Sequence, residues 1–341
     1  MKKMNLILIS LIALVTSCSK GDSNTGTSNT APTNVTLVAN VSTDNSGNVT
    51  FTATATNAIN FDFDFGNGVF QTAASGIVTY KYPSSGTYTV NVVAKSSSGL
   101  TASKSIQINV SVVSSLIWSD EFDTPGAPDP AKWVYDIGAG GWGNNELQYY
   151  TNRLDNAIVT NGTLKITAQK ENYMGSSYTS ARLLSQNKFS FKYGKVETRA
   201  KLPAGVGTWP AIWMLGNNIS TSGWPACGEI DIMEHLGRDL NKIYGTVHHP
   251  GHSGGNADGG TVVISNATIQ FHIYTMEWTA SSIKFSVDNV TYYTFPNVST
   301  LPFNQNFFLL LNFALGGNFG GAIDPAFTAA TFEIDYVRVY Q

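Results

Sequence analysis

The sequence predicts an all-β protein built as a small β-sandwich followed by a larger, jelly-roll-like β-sandwich. Short segments of alternating apolar and polar residues, bounded by Gly, Asn, Asp or Ser, recur from Val35 to the end of the chain, as in half-buried strands. No convincing amphipathic helix interrupts them. The 341 residues exceed one small domain, and all seven tryptophans follow Ile117, which indicates a boundary near that point.

The first residues have the features of an export signal. Basic residues in Met1 to Met4 precede an apolar run from Leu6 to Val15, which is too short to remain as a membrane span. The run ends in the letters VTSC, which resemble a bacterial lipobox, so residues 1–17 are expected to be removed and Cys18 to be lipidated. The sequence thus predicts an exported lipoprotein anchored in a membrane, at the outer membrane or cell surface.

Residues 18–31 are short, polar and without a hydrophobic period, which predicts a flexible tether. The following segment, residues 32–112, shows five to seven short strand patterns and predicts the small sandwich. Residues 115–341 contain the longer strands and predict two large packed sheets.

Within the small unit, the letters FDFDFGNG, followed by YKYP and GTYTV, resemble a PKD-like domain, an immunoglobulin-type sandwich. The alternation places Phe61, Phe63 and Phe65 on one core face, with Asp62 and Asp64 on the opposite face. We expect this cluster to be structural.

The low content of charged residues limits the kinds of molecule that the protein is expected to bind. Charged residues make up 13% of the chain, the formal net charge is -3, and no basic block is present, which argues against nucleic acid. A neutral partner is expected. After Cys18 the only cysteine is Cys227, which we interpret as a small buried residue because no disulfide within the chain can form.

The densest functional signal is the segment CGEIDIMEH, residues 227–235. In an extended strand Glu229 and Asp231 share one face, while Ile230 and Ile232 point to the other and anchor the strand in a core. The plainer interpretation is an acidic strand exposed to solvent, but that would not require flanking isoleucines.

Glu234 breaks this parity and would face the core. A β-bulge near Met233 returns it to the row of acids, and a bulge costs less than a buried, unpaired carboxylate. Glu229 and Glu234 then lie roughly 13 Å apart at Cα, which their side chains can largely close. The geometry favours the short carboxyl separation of a retaining glycosidase over the longer one of an inverting enzyme.

Three neighbouring acids cannot all be ionised without mutual cost, so their pKa values must separate. We assign Glu234 as the proton donor, Glu229 as the ionised nucleophile, and Asp231 as the group that orients the nucleophile and tunes both.

The segment GEIDIMEHLG resembles the catalytic signature of glycoside hydrolase family 16, in the bulged form of laminarinase-like and agarase-like members. The likeness continues through the letters WSDEFD, NNELQYY, YGKVE, GTWPAIWMLG, LNFALGG and DYVRVY and covers residues 115–341. It implies a concanavalin-like β-jelly-roll whose concave sheet forms a glycan cleft. The implied reaction is retaining endo-hydrolysis of β-1,3-glucosidic bonds in laminarin-type glucans and in mixed-linkage β-1,3-1,4-glucan, with no cofactor required.

The resemblance also implies contacts outside the acidic strand. Stacking rings are expected from Trp209, Trp213 and Trp224, and polar contacts to glucose hydroxyls from Asn145, Arg182 and His248. His249 is an alternative to His248. A structural Ca²⁺ is implied at Glu121, Gly162 and Asp335, where hard oxygen ligands would join the two ends of the domain.

Other functions stay open at this stage. An agarase or carrageenase of the same family is one alternative, and a non-catalytic glycan-binding lipoprotein is another, although all three carboxyls are present. A third is an adhesin driven by the small unit. The partners expected are a β-glucan polysaccharide and a membrane, and the protein is expected to be a monomer.

Overall fold

The computed structural model describes residues 30–341. The proposed signal peptide, Cys18 and most of the tether lie outside the described residues. No helix in the described part of the chain combines the length and the apolar character needed to cross a bilayer.

Seven strands form the small unit, which agrees with the five to seven predicted. They are β1 (Thr33–Val41), β2 (Asn48–Thr56), β3 (Asn60–Asp64), β4 (Phe70–Ala73), β5 (Ile77–Lys81), β6 (Gly86–Lys95) and β7 (Thr101–Val110). One sheet has the order β1-β2-β5 and the other β4-β3-β6-β7. Their inner faces enclose one hydrophobic cluster, as in a sandwich of two antiparallel sheets.

The predicted alternation in β3 is confirmed. Phe61, Phe63 and Phe65 are buried in the core of the small unit. On the other face, Asp62 forms an ion pair with Lys95 and accepts a hydrogen bond from a threonine hydroxyl. Asp64 accepts a hydrogen bond from the Gly66 backbone N–H. The aspartates thus have structural partners within the unit.

Seventeen strands follow, again antiparallel with few exceptions. They are β8 (Leu116–Asp120), β9 (Val134–Tyr135), β10 (Gln148–Tyr150), β11 (Ala157–Thr160), β12 (Thr163–Tyr173), β13 (Ser176–Ser180), β14 (Arg182–Leu184), β15 (Gly194–Lys201), β16 (Thr208–Gly216), β17 (Glu229–His235), β18 (Lys242–His248), β19 (Asp258–Val263), β20 (His272–Trp278), β21 (Ser282–Val287), β22 (Val290–Pro296), β23 (Phe307–Leu315) and β24 (Ala329–Tyr340). The helical pieces are α1 (Ile219–Ser222), α2 (Gly317–Gly320) and 3-10 turns at Gly141–Gly143 and Gly254–Asn256. The all-β prediction is confirmed.

These strands make two large sheets. The ten-stranded sheet has β24 and β15 near its centre, and the seven-stranded sheet has the order β19-β18-β17-β16-β23-β14-β9. A large apolar cluster with side chains from both sheets forms the core between them. Strand β23 is buried at every position and pairs with the central strand β16, whose other neighbour is β17.

Candidate active site

The central feature of the site is the bulge in β17. Against β16, Ile212 lies opposite Met233 while its neighbour Trp213 lies opposite Asp231, so Ile232 has no partner. Against β18, three steps from Asp231 to Glu234 correspond to only two on the partner strand. The predicted extra residue is therefore present.

The bulge restores the parity of the acids. Ile232 and Met233 are consecutive, yet both are buried and both belong to the core between the sheets. Because two successive residues turn inward, Glu234 leaves the core side and joins Glu229 and Asp231 on the outer face. The sequence-based geometry of the acidic row is confirmed.

Each of the two outer acids in the row accepts a hydrogen bond from a residue outside β17. The Trp224 indole N–H donates to Glu229 Oε2 at 2.7 Å, and the Trp209 indole N–H donates to Glu234 Oε1 at 2.9 Å. The Thr246 hydroxyl, on β18, donates to the other oxygen of Glu234 at 3.4 Å. The two outer carboxyls are thus held in place by neutral donors.

Asp231 lies between them, and His248 faces it across the β17–β18 pair. His248 Nε2 is 3.1 Å from Asp231 Oδ2 and 3.9 Å from Glu229 Oε1. Because His248 Nδ1 accepts a hydrogen bond from the Gly254 backbone N–H, the neutral ring carries its proton on Nε2, toward the acids. Although the distance is short, Asp231 Oδ2 is buried without a hydrogen-bond partner.

Burial governs the protonation of the row. It is the largest cause that raises the pKa of Glu229 to about 8 and that of Glu234 to about 7. The pKa of Asp231 also lies well above its usual value, through burial and the charge of Glu234. The row therefore retains protons near neutral pH, and its steps of proton release belong to the set rather than to single residues.

A polar network that sequence reasoning missed supports the row from β23. Trp213 donates its indole N–H to Asn312 Oδ1 at 2.8 Å, and Asn312 donates to the Tyr150 hydroxyl at 2.9 Å. That hydroxyl in turn donates to Glu146 at 3.0 Å. Burial raises the pKa of Glu146. The signal for Asn312 was available, since it is the only polar residue in FFLLLNFAL.

The predicted tryptophans lie around the acids. Trp209 and Trp213 occupy the outer face of β16 and are both partly exposed, and Trp224 is 49% exposed. Trp213 also packs against a small apolar cluster on that face, so part of its ring is structural. All three rings keep surface available for contact with a ligand.

Arg182 and Asn145, the other residues predicted to contact glucose hydroxyls, form no hydrogen bond with the acids. Arg182 forms an ion pair with Asp136 at 2.9 Å, and its guanidinium lies over the rings of Trp142 and Trp213, at 5.1 and 4.8 Å from their centroids. Asn145 is exposed, and its amide donates to the Asn318 side chain at 2.9 Å. Arg182 thus flanks the site through Trp213, and Asn145 lies on a loop beside α2.

The structure separates the two adjacent histidines. His248 is on the outer face of β18 with the acids, whereas His249 is buried beside Phe295 and Phe303. The proposed exchange of His249 for His248 is therefore excluded. Cys227 is buried and free, as predicted, and burial raises the pKa of its thiol to about 11.

Two of the three proposed calcium ligands have other partners, and the third, Gly162, offers only its backbone carbonyl. Glu121 forms a bidentate pair with Arg338 at 2.8 and 3.0 Å, and Asp335 is paired with Arg199. A cation held by these two carboxylates would have to displace both guanidinium groups. The side chains as they lie do not fit a calcium ion.

The sequence and the fold match known proteins. The family model "Glycosyl hydrolases family 16" matches residues 144–338, which include all three acids. The chain belongs to glycosyl hydrolase family 16. A second model, "Beta-glucan synthesis-associated protein SKN1/KRE6/Sbg1", matches residues 49–230 and ends before Asp231 and Glu234.

Relatives of this family 16 enzyme include proteins named as glucanases. It is 48% identical over 242 residues to a "Beta-glucanase" of Rhodothermus marinus, a match covering 66% of this chain and 85% of the relative. A "Glucan endo-1,3-beta-glucosidase A1" of Niallia circulans is 37% identical over 257 residues, 66% of this chain and 38% of that protein. The crystal structure of the Rhodothermus marinus laminarinase matches 67% of this chain and 98% of its own, with 48% identity and a TM-score of 0.65.

The bulge can be tested by removing Met233. The deletion turns EIDIME into EIDIE, which alternates without a bulge, so the variant should fold and hydrolyse laminarin at a detectable rate. It should lose about 2–5 kcal/mol of stability, because a buried methionine is lost from the core. Thermal melts, circular dichroism and a reducing-sugar assay measure these outcomes.

Met233→Ala is the matched control, since it loses most of the same packing but keeps the extra residue. If the deletion variant shows a native spectrum but no hydrolysis, while Met233→Ala remains active, the bulge does more than correct parity.

Proposed function

We propose that this glycoside hydrolase cleaves internal β-1,3-glucosidic bonds in laminarin-type glucans, and the β-1,3 bonds of mixed-linkage β-1,3-1,4-glucan, with retention of configuration. The observation that carries the proposal is the buried row of Glu229, Asp231 and Glu234 on one face of β17. Its outer members are held at fixed positions by indole N–H groups. Retaining hydrolysis needs two carboxyls with different roles and fixed separation.

In the first step, Glu229 attacks the anomeric carbon and Glu234 gives its proton to the departing glycosidic oxygen. A covalent glycosyl-enzyme forms, and the glucan fragment that carries the protonated glycosidic oxygen leaves. In the second step, Glu234 takes a proton from water, whose oxygen attacks the same carbon and releases Glu229. Two inversions at one carbon give net retention.

The surroundings of the row suit this division. Trp224 and His248 both favour the ionised form of Glu229, since each lowers its pKa against the effect of burial. Burial raises the pKa of Glu234 to about 7 and that of Glu229 to about 8, so the row carries a proton at neutral pH, and the role of Glu234 as the acid rests on its position at the end of the row. Asp231 raises the pKa of Glu229 through its charge, so it makes the carboxylate more basic once ionised.

The walls of the site suit a neutral sugar chain. Apolar C–H faces of pyranose rings stack on indole rings, and Trp209, Trp213 and Trp224 surround the acids. Apart from Arg182, which is paired with Asp136, the residues placed at the row supply no permanent cation for a charged polysaccharide. This favours a neutral glucan over a sulfated galactan.

Substrate class is tested by one digestion panel of laminarin, lichenan, agarose and carrageenan. We expect oligosaccharides from laminarin, slower release from lichenan, and no product from the galactans. Proton NMR at early times should show the β-anomer first, because retention preserves it. Preferential cleavage of agarose would instead establish the agarase alternative, and no cleavage of any polymer would favour a binding protein.

The roles of the two outer acids are separated by Glu229→Gln and Glu234→Gln. The first should reduce hydrolysis of laminarin by more than about a hundredfold, because it removes the nucleophile. The second should largely spare an aryl β-glucoside whose leaving group needs no protonation. Equal losses on laminarin and the aryl glucoside would count against an acid role for Glu234.

The indole donors give a matched pair of pH tests. Trp209→Phe removes a hydrogen bond that lowers the pKa of Glu234, and Trp224→Phe removes one that lowers the pKa of Glu229. Each change raises the pKa of a carboxyl in the row, so the pH profile of kcat/KM should move to higher pH in both variants. Shifts on the order of one pH unit or less are expected. An unchanged profile in either variant would show that its indole does not act on the protonation of the row.

We further propose that the enzyme is exported, lipidated at Cys18 and anchored at the outer membrane or cell surface as a monomer. The support is the sequence of residues 1–18, in which a basic start is followed by an apolar run and then by the letters VTSC. The PKD-like unit would then act as a spacer between the tether and the enzyme. Its separate hydrophobic core supports independence of the two units.

A further inference from the structure

A second group of metal-ligand side chains lies in the β18–β19 connection. His249 Nε2 is 3.1 Å from Asp258 Oδ2, and His252 Nδ1 is 3.0 Å from the same oxygen. The three ligand atoms all lie within 4.8 Å of one another. The two imidazole rings stack at a centroid distance of 5.0 Å. Two nitrogens and one carboxylate oxygen therefore converge on one point.

The orientation of His249 is that of a metal ligand. Its Nδ1 is 3.1 Å from the Pro250 carbonyl oxygen, which can only accept, so Nδ1 carries a proton. In the neutral ring, Nε2 then presents a lone pair to the Asp258 carboxylate, and two acceptors face each other. Either an additional proton or a cation must lie between them. A histidine that ligates a metal typically donates its other ring N–H to a carbonyl in this way.

This group is separate from the row of acids. His249 directly follows the last residue of β18 and is buried against core phenylalanines, whereas His248 faces Asp231. His252 is about half exposed, with a side-chain exposure of 51%, so the group opens to solvent on one side. A metal ion could enter without passing the substrate site.

We propose that His249, His252 and Asp258 bind one divalent transition-metal ion of the Zn²⁺ type. Imidazole nitrogens with one carboxylate oxygen suit Zn²⁺, Co²⁺ or Ni²⁺ better than Ca²⁺ or Mg²⁺, which prefer all-oxygen sites. Three protein ligands leave a fourth position for water on the exposed side.

The ion would fix the connection that supports His248. The 3-10 turn Gly254–Asn256 lies between His252 and Asp258, and the Gly254 N–H donates to His248 Nδ1. A metal that joins His252 to Asp258 closes the segment containing this donor. Occupation of the site would thus stabilise the connection and keep the His248 proton directed at the acids.

The test is a Co²⁺ titration of the purified protein without a polyhistidine tag. Four-coordinate Co²⁺ with nitrogen and oxygen ligands absorbs in the visible range, and we expect bands that saturate at one ion per chain and disappear when Zn²⁺ is added. Zn²⁺ should also raise the Tm of the wild-type protein. His252→Asn and Asp258→Asn should each weaken Co²⁺ binding by at least about a hundredfold, the upper end of losses seen for outer-shell partners.

Two controls locate the ion. His272→Asn removes a histidine that contacts only one acid, Asp288, at 2.7 Å, and should leave the titration unchanged. Glu229→Gln alters the other candidate group, Glu229, Asp231 and His248, and should also leave it unchanged. Bands that are lost in Glu229→Gln but kept in His252→Asn, or the absence of saturable bands in the wild type, would overturn the proposal and leave an ion-paired cluster.

Discussion

The active site depends on one extra residue in β17. Without the bulge between Asp231 and Glu234, period-two alternation would direct Glu234 into the core, where an unpaired acid is strongly unfavourable. With it, Ile232 and Met233 both enter the core, and the third acid is placed outside. Catalytic geometry and core packing are thus set by the same local irregularity.

Once the acids are aligned, their chemistry depends on the neighbours that the fold supplies. Burial raises the pKa of all three acids, and indole donors at the two outer acids oppose that effect. A neutral donor stabilises the carboxylate but still allows the carboxyl to be protonated, whereas a permanent cation would keep it ionised. The row can therefore hold a proton at one end and a charge at the other, as double displacement requires.

The central strands of the seven-stranded sheet carry the acids and their neighbours on one face and core residues on the other. His248, the last residue of β18, faces the acids, and the next residue, His249, is buried in the core. Strand β23 supplies an apolar support in which Asn312 is the one polar residue. Asn312 connects Trp213 to Tyr150 and Glu146, so the cleft wall is tied to a loop far away in the chain. This is why support for the site is spread over most of the large unit.

The sequence by itself determined the features that depend on strand parity. The sharing of one face by Glu229 and Asp231, the need for a bulge before Glu234, and the inward row of Phe61, Phe63 and Phe65 all follow from a side-chain period of two. Partners between distant segments were decided only by the tertiary structure. The sequence could not indicate that Arg338 and Arg199 occupy the acids proposed for calcium, or that His249 would turn away from His248 toward Asp258. Alternation is a local property of one strand, whereas the choice of an ion-pair or hydrogen-bond partner depends on which strands the fold places side by side.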